Sequence, residues 1–228
     1  LRRHEPVSTS RPSPEAFREV YLAASERGAS HVVSVHLSSR LSGTMDAARM
    51  AAMDVPLPVD VVDSRTVGMG LGFAVVAAAR AARQGDSPER VVAAATESAA
   101  WSSAFFYVDT LEYLRRGGRI GAASALVGNA LAIKPLLHLE DGAIKLMEKV
   151  RTAARAVARL EDLAVERAGR SSVDLAVHHL DNAARADQLA QRLSGRLPRV
   201  GEMVVAEVGA VIGAHAGPGM LAVVVSPR

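Results

Sequence analysis

The chain has 228 residues, of which 49% are hydrophobic and 4% aromatic, with a formal net charge of +3 and no cysteine. This length and apolar content predict one large domain or two modest lobes around a buried core. The lack of cysteine excludes a disulfide framework and thiol chemistry. Arginines scattered along the chain, with few aromatic residues, argue against nucleic-acid binding, which favours a clustered basic stripe.

Membrane insertion is not predicted. The longest apolar stretch, residues 71–79, is alanine-rich and is followed by Arg80 and Arg83, a pattern that indicates a buried helix. The N-terminus has no signal-peptide pattern. We therefore expect a cytoplasmic monomer without stable membrane insertion.

Residues 1–102 alternate strand-like apolar runs with helical patterns, which predicts an N-terminal α/β lobe with a mostly parallel sheet. Ser13 and Pro14 are typical of a helix start, because serine caps the first turn and proline fits within it. The other elements predicted here are a strand at 31–36, a helix from about 45, a strand at 59–62, a helix over 66–84 and a helix from Pro88.

Residues 103–228 are predicted to form a C-terminal α/β lobe with a mixed sheet. Asp141 and Gly142 lie between two apolar runs, and this dipeptide is a strong hairpin signal. The predicted elements are strands at 104–108, 133–139, 143–149, 173–178, 203–208 and 221–225, and helices at 111–116, at 122–131, from 152 and from 183.

Polar segments follow strands or lie in glycine-rich turns at four places, where α/β sheets gather ligands. They are residues 9–14, 38–44, 151–152 and 213–219. In the second segment, hydroxyls and free backbone N–H groups at a helix start suit a carboxylate or a phosphate. The alternative is that Ser42 and Thr44 only cap the helix.

His215 lies among glycines and a proline, where the backbone can approach a ligand closely. Its ring N–H could donate to an anion, and an incidental histidine in a Gly-Pro turn is the alternative. Arg151 at a helix start is unfavourable for the helix dipole, which is a weak sign of a nearby anion rather than a solvated side chain. The histidine spacing matches no metal site.

Eight motifs, in this order, resemble the DegV family of fatty-acid-binding proteins and span almost the whole chain. They are T-S-R-P-S-P at 9–14, L-S-S-R-L-S-G-T at 37–44, V-V-D-S-R-T-V-G-M-G-L-G at 61–72, V-D-T-L-E-Y-L-R-R-G-G-R-I-G at 108–121, I-K-P-L-L at 133–137, E-K-V-R-T at 148–152, H-L-D-N at 179–182 and G-A-V-I-G-A-H-A-G-P-G at 209–219. Each is weak alone, whereas all of them in order are specific. Family members usually begin with a further strand and a turn similar to T-D-S-T, which we expect to have been omitted from this sequence.

The resemblance implies two lobes, one long-chain fatty acid bound at their junction, and no cofactor. The residues that match the family's carboxylate ligands are Thr9, Ser42, Arg151 and His215. Those expected to support the site from loops are Ser10, Gly43, Thr44, Gly213 and Gly217. Those expected to line an acyl-chain tunnel, with ordinary core packing as the alternative for each, are Phe106, Ala123, Leu126, Val127, Ala130 and Ile133.

The resemblance also implies a bacterial carrier rather than an enzyme, which presents the fatty acid to a separate fatty acid kinase for phospholipid synthesis. The basic turn at 115–119 would then be part of a docking surface, or else a solvated turn. The main alternative is a serine hydrolase in which Asp63 or Asp181 orients His215 toward Ser42, although the G-x-S-x-G elbow is absent. A binder of another amphiphile is the remaining alternative.

Overall fold

The computed structural model of the chain describes residues 7–121 and 133–228. It forms two compact units. The N-terminal unit is Ser10–Trp101, and the C-terminal unit contains Ser102–Arg228 together with the stretch before Ser10. None of the helices within the described ranges is long and apolar enough to cross a membrane.

The N-terminal unit is built from helices around a parallel strand pair. Its elements are α1 Pro14–Glu26, β1 Val32–His36, α2 Thr44–Ala52, β2 Val59–Asp63, α3 Met69–Arg83 and α4 Pro88–Trp101. The two strands run parallel, as predicted, and the structure pairs Val32 with Val59. The predicted cap is also confirmed, because the Ser13 hydroxyl accepts from the Ala16 amide at 3.3 Å.

Helix α3 begins at Met69, three residues later than predicted. Thr66 instead belongs to the preceding loop, where its carbonyl accepts the Ser38 amide and its own amide donates to the Ser64 hydroxyl. Gly68 then adopts φ 62°, a conformation that glycine reaches without steric cost. Local hydrogen bonds of hydroxyl residues thus outcompete an earlier helix start.

The C-terminal unit is a six-stranded mixed sheet with helices. Its elements are β3 Ser103–Tyr107, α5 Glu112–Arg116, β4 Lys134–Glu140, β5 Ala143–Val150, α6 Ala153–Ala168, β6 Val173–His179, α7 Ala183–Arg196, β7 Val200–Glu207, α8 Ala210–Ala216 and β8 Leu221–Pro227. The strand order is β5-β4-β3-β8-β6-β7, and only the β6–β7 pair is parallel. The predicted mixed sheet is confirmed. The helix predicted at 122–131 lies outside the described residues.

The core of this unit lies between one face of the sheet and helices α6 and α7. Leucines of both helices, such as Leu160 and Leu189, are fully buried against Leu175, Val177 and Val223 of the central strands. Burying a leucine side chain contributes about 1.5–3 kcal/mol, so this layer stabilises the unit substantially.

The strand register brings several carboxyl ends to one edge of the sheet. Tyr107 and His179, near the ends of β3 and β6, both pair with Leu221 at the start of β8. Val150, the last residue of β5, pairs with Lys134 at the start of β4. Since α8 connects β7 to β8, it lies at this same edge, where α/β sheets commonly bind ligands.

The structure shows helix α8 where the sequence predicts a glycine-rich turn at 213–219, so that prediction is wrong in part. Residues 210–216 are helical, and the turn begins only at Gly217, which has φ 79°. Gly213 lies inside the helix, where a Cβ atom would come within 3.1 Å of Leu180 Cδ2. His215 is therefore held by a helix rather than by a loop.

Candidate functional site

His215 and Thr9 form the best-defined polar contact at this edge of the C-terminal unit. The His215 Nε2 atom lies 2.9 Å from the Thr9 hydroxyl, although the two residues are 206 positions apart in sequence. Both side chains are half-buried. Two of the four predicted carboxylate ligands are thus brought into direct contact.

The second nitrogen of His215 defines the direction of this hydrogen bond. Nδ1 is buried and has no hydrogen-bond partner among the described residues. A buried N–H without an acceptor is rarer than a buried acceptor without a donor, so we assign the proton to Nε2. His215 then donates to the Thr9 oxygen, and the Thr9 hydroxyl hydrogen is available to another acceptor.

Close packing against Gly117 constrains the His215 ring. A Cβ atom on Gly117, just after α5, would overlap with the imidazole at Nδ1. A Cβ on Gly217 would overlap with the ring of Tyr113. Helices α5 and α8 therefore approach each other through positions without side chains, and any substitution at Gly117 must displace the histidine.

Burial lowers the pKa of His215, and the positive charge of Arg119 lowers it further. The imidazole is therefore neutral at neutral pH, which agrees with its role as a single donor to Thr9. Arg119 is the cation whose field acts on this pair. The sequence predicts it only as part of a docking surface or a solvated turn, and no spacing along the chain relates it to His215.

The two other arginines of that turn are engaged within α5. Arg115 and Arg116 form ion pairs with Glu112 at 2.7 and 2.6 Å. Their guanidinium groups lower the pKa of Glu112 to about 2. Arg115 and Arg116 therefore pair with Glu112, whereas the positive charge of Arg119 lowers the pKa of His215.

Arg151 lies at the same edge of the sheet but is exposed. It directly follows Val150, the partner of Lys134, and Lys134 in turn forms an ion pair with Asp109 at 2.8 Å. Arg151 itself makes no ion pair within the described ranges. The next residue, Thr152, caps α6 by accepting from the Arg155 amide at 3.2 Å. The structure thus places Arg151 near the end of β5 without joining it to the His215–Thr9 pair.

Ser42 and Thr44 belong to the N-terminal unit, where their hydroxyl oxygens lie 2.8 Å apart. The Thr44 amide donates to the Ser42 hydroxyl at 3.3 Å, a local contact beside the N-cap residue Gly43, which makes no side-chain capping bond to α2. Gly43 packs against the Arg11 guanidinium, and a Cβ atom there would overlap with it. Of the other predicted loop residues, Ser10 is exposed and Gly213 and Gly217 are buried in the C-terminal unit.

The predicted tunnel residues are only partly described. Phe106 is half-buried and lies on the sheet face opposite α6 and α7, because its neighbours Phe105 and Tyr107 face that core. Ala222 is opposite it on β8 and Leu137 on β4. Ile133 is half-buried just before β4. Ala123, Leu126, Val127 and Ala130 lie outside the described residues.

Burial lowers the pKa of His36 and His178 as well as that of His215. His178 is only 8% exposed, and the neighbouring His179 lowers its pKa further. The folded state therefore binds fewer protons than the unfolded chain, whose histidine pKa is 6.5. The stability that these histidines contribute is fully present above pH 6.5. It is lost as the pH falls from 6.5 through their folded pKa values.

We expect the urea midpoint to stay constant between pH 7.5 and 6.5 and to fall as the pH is lowered from 6.5 to 5. Each pH unit below 6.5 costs up to about 1.4 kcal/mol per affected histidine, until its folded pKa is reached. His178→Gln removes one of the three, so its urea midpoint should depend less on pH. An equal pH dependence in both proteins would contradict the role of His178.

The fold and the polar pair at the strand ends define a mixed α/β protein with a candidate ligand site at the carboxyl edge of its larger sheet. The family model described as "Uncharacterised protein, DegV family" matches residues 1–228. The chain belongs to the DegV family, as the eight motifs indicated.

Relatives and solved structures agree with this assignment. The chain is 58% identical to the DegV domain-containing protein SCO2569 of Streptomyces coelicolor, over all of this chain and 81% of the relative. It matches a structure described as "Fatty Acid Binding of a DegV family Protein from Thermus thermophilus" with TM-score 0.91 and 35% identity, over 97% of this chain and 79% of that one. For "DegV, a fatty acid binding protein from Bacillus subtilis", the TM-score is 0.88 and the identity 33%, over 97% and 79%.

Proposed function

We propose that this protein is a carrier that binds one long-chain fatty acid and presents its carboxyl group to a separate fatty acid kinase. The observation that carries the proposal is the His215–Thr9 hydrogen bond of 2.9 Å, which leaves the Thr9 hydroxyl free to donate to an anion. The Thermus thermophilus and Bacillus subtilis proteins, both described as fatty-acid-binding, support the choice of ligand.

A carboxylate taken out of water must be hydrogen-bonded, because an unpaired buried charge is very costly. Thr9 supplies a hydroxyl donor whose orientation is fixed by His215. Arg119 supplies positive charge beside the same pair. Since charge-assisted hydrogen bonds are roughly twice as strong as neutral ones, a carboxylate is favoured here over a neutral head group.

The remaining carboxylate ligands of the proposal rest on the family motifs. Ser42 and Thr44 offer hydroxyls at the start of α2, and Gly43 between them packs against the Arg11 side chain. Arg151 offers an exposed cation at the end of β5. Ser10, Gly213 and Gly217 are proposed as loop support.

The acyl chain requires apolar surroundings, and each buried CH₂ group contributes about 0.8 kcal/mol. We place the chain beside Phe106 and Ile133, on the sheet face that α6 and α7 do not cover. Ala222, a buried apolar residue, lies opposite Phe106 on this face. The family resemblance supports the rest of the proposal. This part consists of presentation to a kinase, a role in phospholipid synthesis, a cytoplasmic location and a monomeric state.

Hydrolysis by a Ser42–His215 pair is disfavoured by the surroundings of the histidine. A catalytic histidine of that type has a carboxylate on its second nitrogen. His215 Nδ1 has no partner of any kind in the described part of the chain, and Gly117 packs directly against it. Asp63 accepts hydrogen bonds from Ser39 and Arg65 in its own unit. We therefore propose a binding protein without catalytic activity of its own.

The acyl-chain assignment is tested with Ile133→Trp. Calorimetric titration with saturated fatty acids of 12 to 18 carbons should show that the variant loses affinity for the longest chain by about tenfold or more, because two or more CH₂ groups no longer fit. Laurate should bind the variant and the wild type alike. Val205→Trp on the exposed face of β7 is the control and should leave the chain-length profile unchanged. An unchanged profile in Ile133→Trp would remove Ile133 from the tunnel.

A further inference from the structure

Two loops of the N-terminal unit, residues 38–44 and 63–66, are joined by backbone hydrogen bonds. The Ser38 amide donates to the Thr66 carbonyl at 2.9 Å, and the Ser64 amide donates to the His36 carbonyl at 3.0 Å. Ser38 is fully buried. Its carbonyl accepts from the amides of Leu41 and Ser42 at 3.0 and 3.2 Å. The backbone of Ser42 is therefore held through Ser38.

Asp63, the last residue of β2, reinforces this junction with its side chain. Its carboxylate accepts the Ser39 hydroxyl at 2.6 Å and the Ser39 amide at 3.3 Å. It also accepts the Arg65 amide at 2.8 Å. One ionised group thus ties the loop that leads to Ser42 to the end of the neighbouring strand.

The Asp63 carboxylate accepts hydrogen bonds from the two loops rather than forming an ion pair. No lysine or arginine forms a salt bridge with it within residues 7–121 and 133–228, and its acceptors are used by loop donors. Arg65 is held at φ 53°, an uncommon conformation for a residue with a side chain. Such a conformation persists when its surroundings impose it, and the Asp63–Arg65 bond is one of those constraints.

The geometry points to Asp63 as a positioning residue that acts through Ser39 and the 38–44 loop to hold the Ser42 hydroxyl for the ligand carboxylate. This inference rests on the proposed function, in which Ser42 binds that carboxylate. Asp63 itself does not contact the ligand. Its effect on binding must therefore depend on the presence of the Ser42 hydroxyl.

A double-mutant cycle with oleate as the probe measures this dependence. Asp63→Ala should weaken oleate binding about tenfold in the wild-type background, since hydrogen bonds to an ionised group are lost. In the Ser42→Ala background the same substitution should change the affinity by less than about twofold. Asp63→Asn keeps one acceptor oxygen and should recover part of the affinity.

Two further variants guard against an effect of misfolding. Ser39→Ala removes only the 2.6 Å hydroxyl contact, at an exposed residue, and should weaken oleate binding about threefold to tenfold. Asp54→Ala makes the same chemical change as Asp63→Ala at an exposed residue of the same unit whose side chain makes no hydrogen bond within the described ranges. It should leave oleate affinity unchanged.

Hydrogen exchange of the Ser39 and Ser42 amides gives a readout that needs no ligand. Both amides should exchange faster in Asp63→Ala and at the wild-type rate in Asp54→Ala. Unchanged exchange in Asp63→Ala overturns the positioning role, and so does an equal loss of affinity in both backgrounds of the cycle. If the wild-type protein binds no oleate, the carrier function is overturned, and so is the role of Asp63 in ligand binding. If the wild type binds oleate and Asp63→Ala binds it with the same affinity, only the positioning role is overturned.

Discussion

Gly117→Ala is expected to lower the affinity for oleate by up to about tenfold, because the displaced imidazole no longer holds the Thr9 hydroxyl and a lost hydrogen bond costs about 0.5–1.5 kcal/mol. The added methyl group would overlap with His215 Nδ1. The imidazole must then move, and its hydrogen bond to Thr9 is lost or weakened. Gly117 has φ −73° and ψ −10°, which alanine adopts without strain, so the effect comes from the overlap and not from the backbone.

Gly209→Ala provides the matched control for this prediction. Gly209 precedes the helix that carries His215, has φ −62°, and a Cβ atom there would meet nothing within 4 Å. Its oleate affinity, measured by the same calorimetric titration, should equal that of the wild type. If Gly117→Ala binds oleate as tightly as Gly209→Ala does, the position of His215 does not determine carboxylate binding.

Thr9→Val is expected to weaken oleate binding by about tenfold to a hundredfold, since it removes the only hydroxyl that contacts His215 within the described residues. The ligand carboxylate loses a donor, and His215 Nε2 loses its partner. Leaving a buried polar group unpaired costs about 1–3 kcal/mol, and more when the group is charged. Thr9→Ser restores the hydroxyl and should restore most of the affinity.

Thr96→Val tests whether this effect is specific to the site. Thr96 is exposed on α4, where its hydroxyl donates to the Val92 carbonyl. The same chemical change there should leave oleate binding intact. Equal affinities for Thr9→Val, Thr96→Val and the wild type, measured by titration calorimetry, would exclude Thr9 from the site.

Local signals predicted most of the fold. Asp141 and Gly142 adopt φ 50° and 78°, both positive as a two-residue hairpin turn requires. Ser13 and Thr152 cap the helices that their positions indicated. Helix α8 was missed because glycine lies in its middle at Gly213 and at both of its ends, at Gly209 and Gly217, and glycine predicts turns. Packing against α5 and Leu180 favours the helix there, and such long-range contacts leave no periodic pattern in the sequence.

The candidate site was less predictable than the fold. Thr9 and His215 are 206 residues apart, and only the family resemblance joined them before the structure did. Arg119 was not assigned to the site, because a basic turn by itself favours a solvated surface. Its influence depends on the fold of the Gly117-Gly118 turn, which brings its charge to His215. Spacing along the chain does not encode this arrangement.

Mass spectrometry of an organic extract from the purified, natively folded protein tests the carrier function most directly. The proposed function predicts a fatty acid at about one molecule per chain, and the extract would identify its length and saturation. An extract without fatty acid, together with a protein that takes up none when oleate is added, would contradict the assignment.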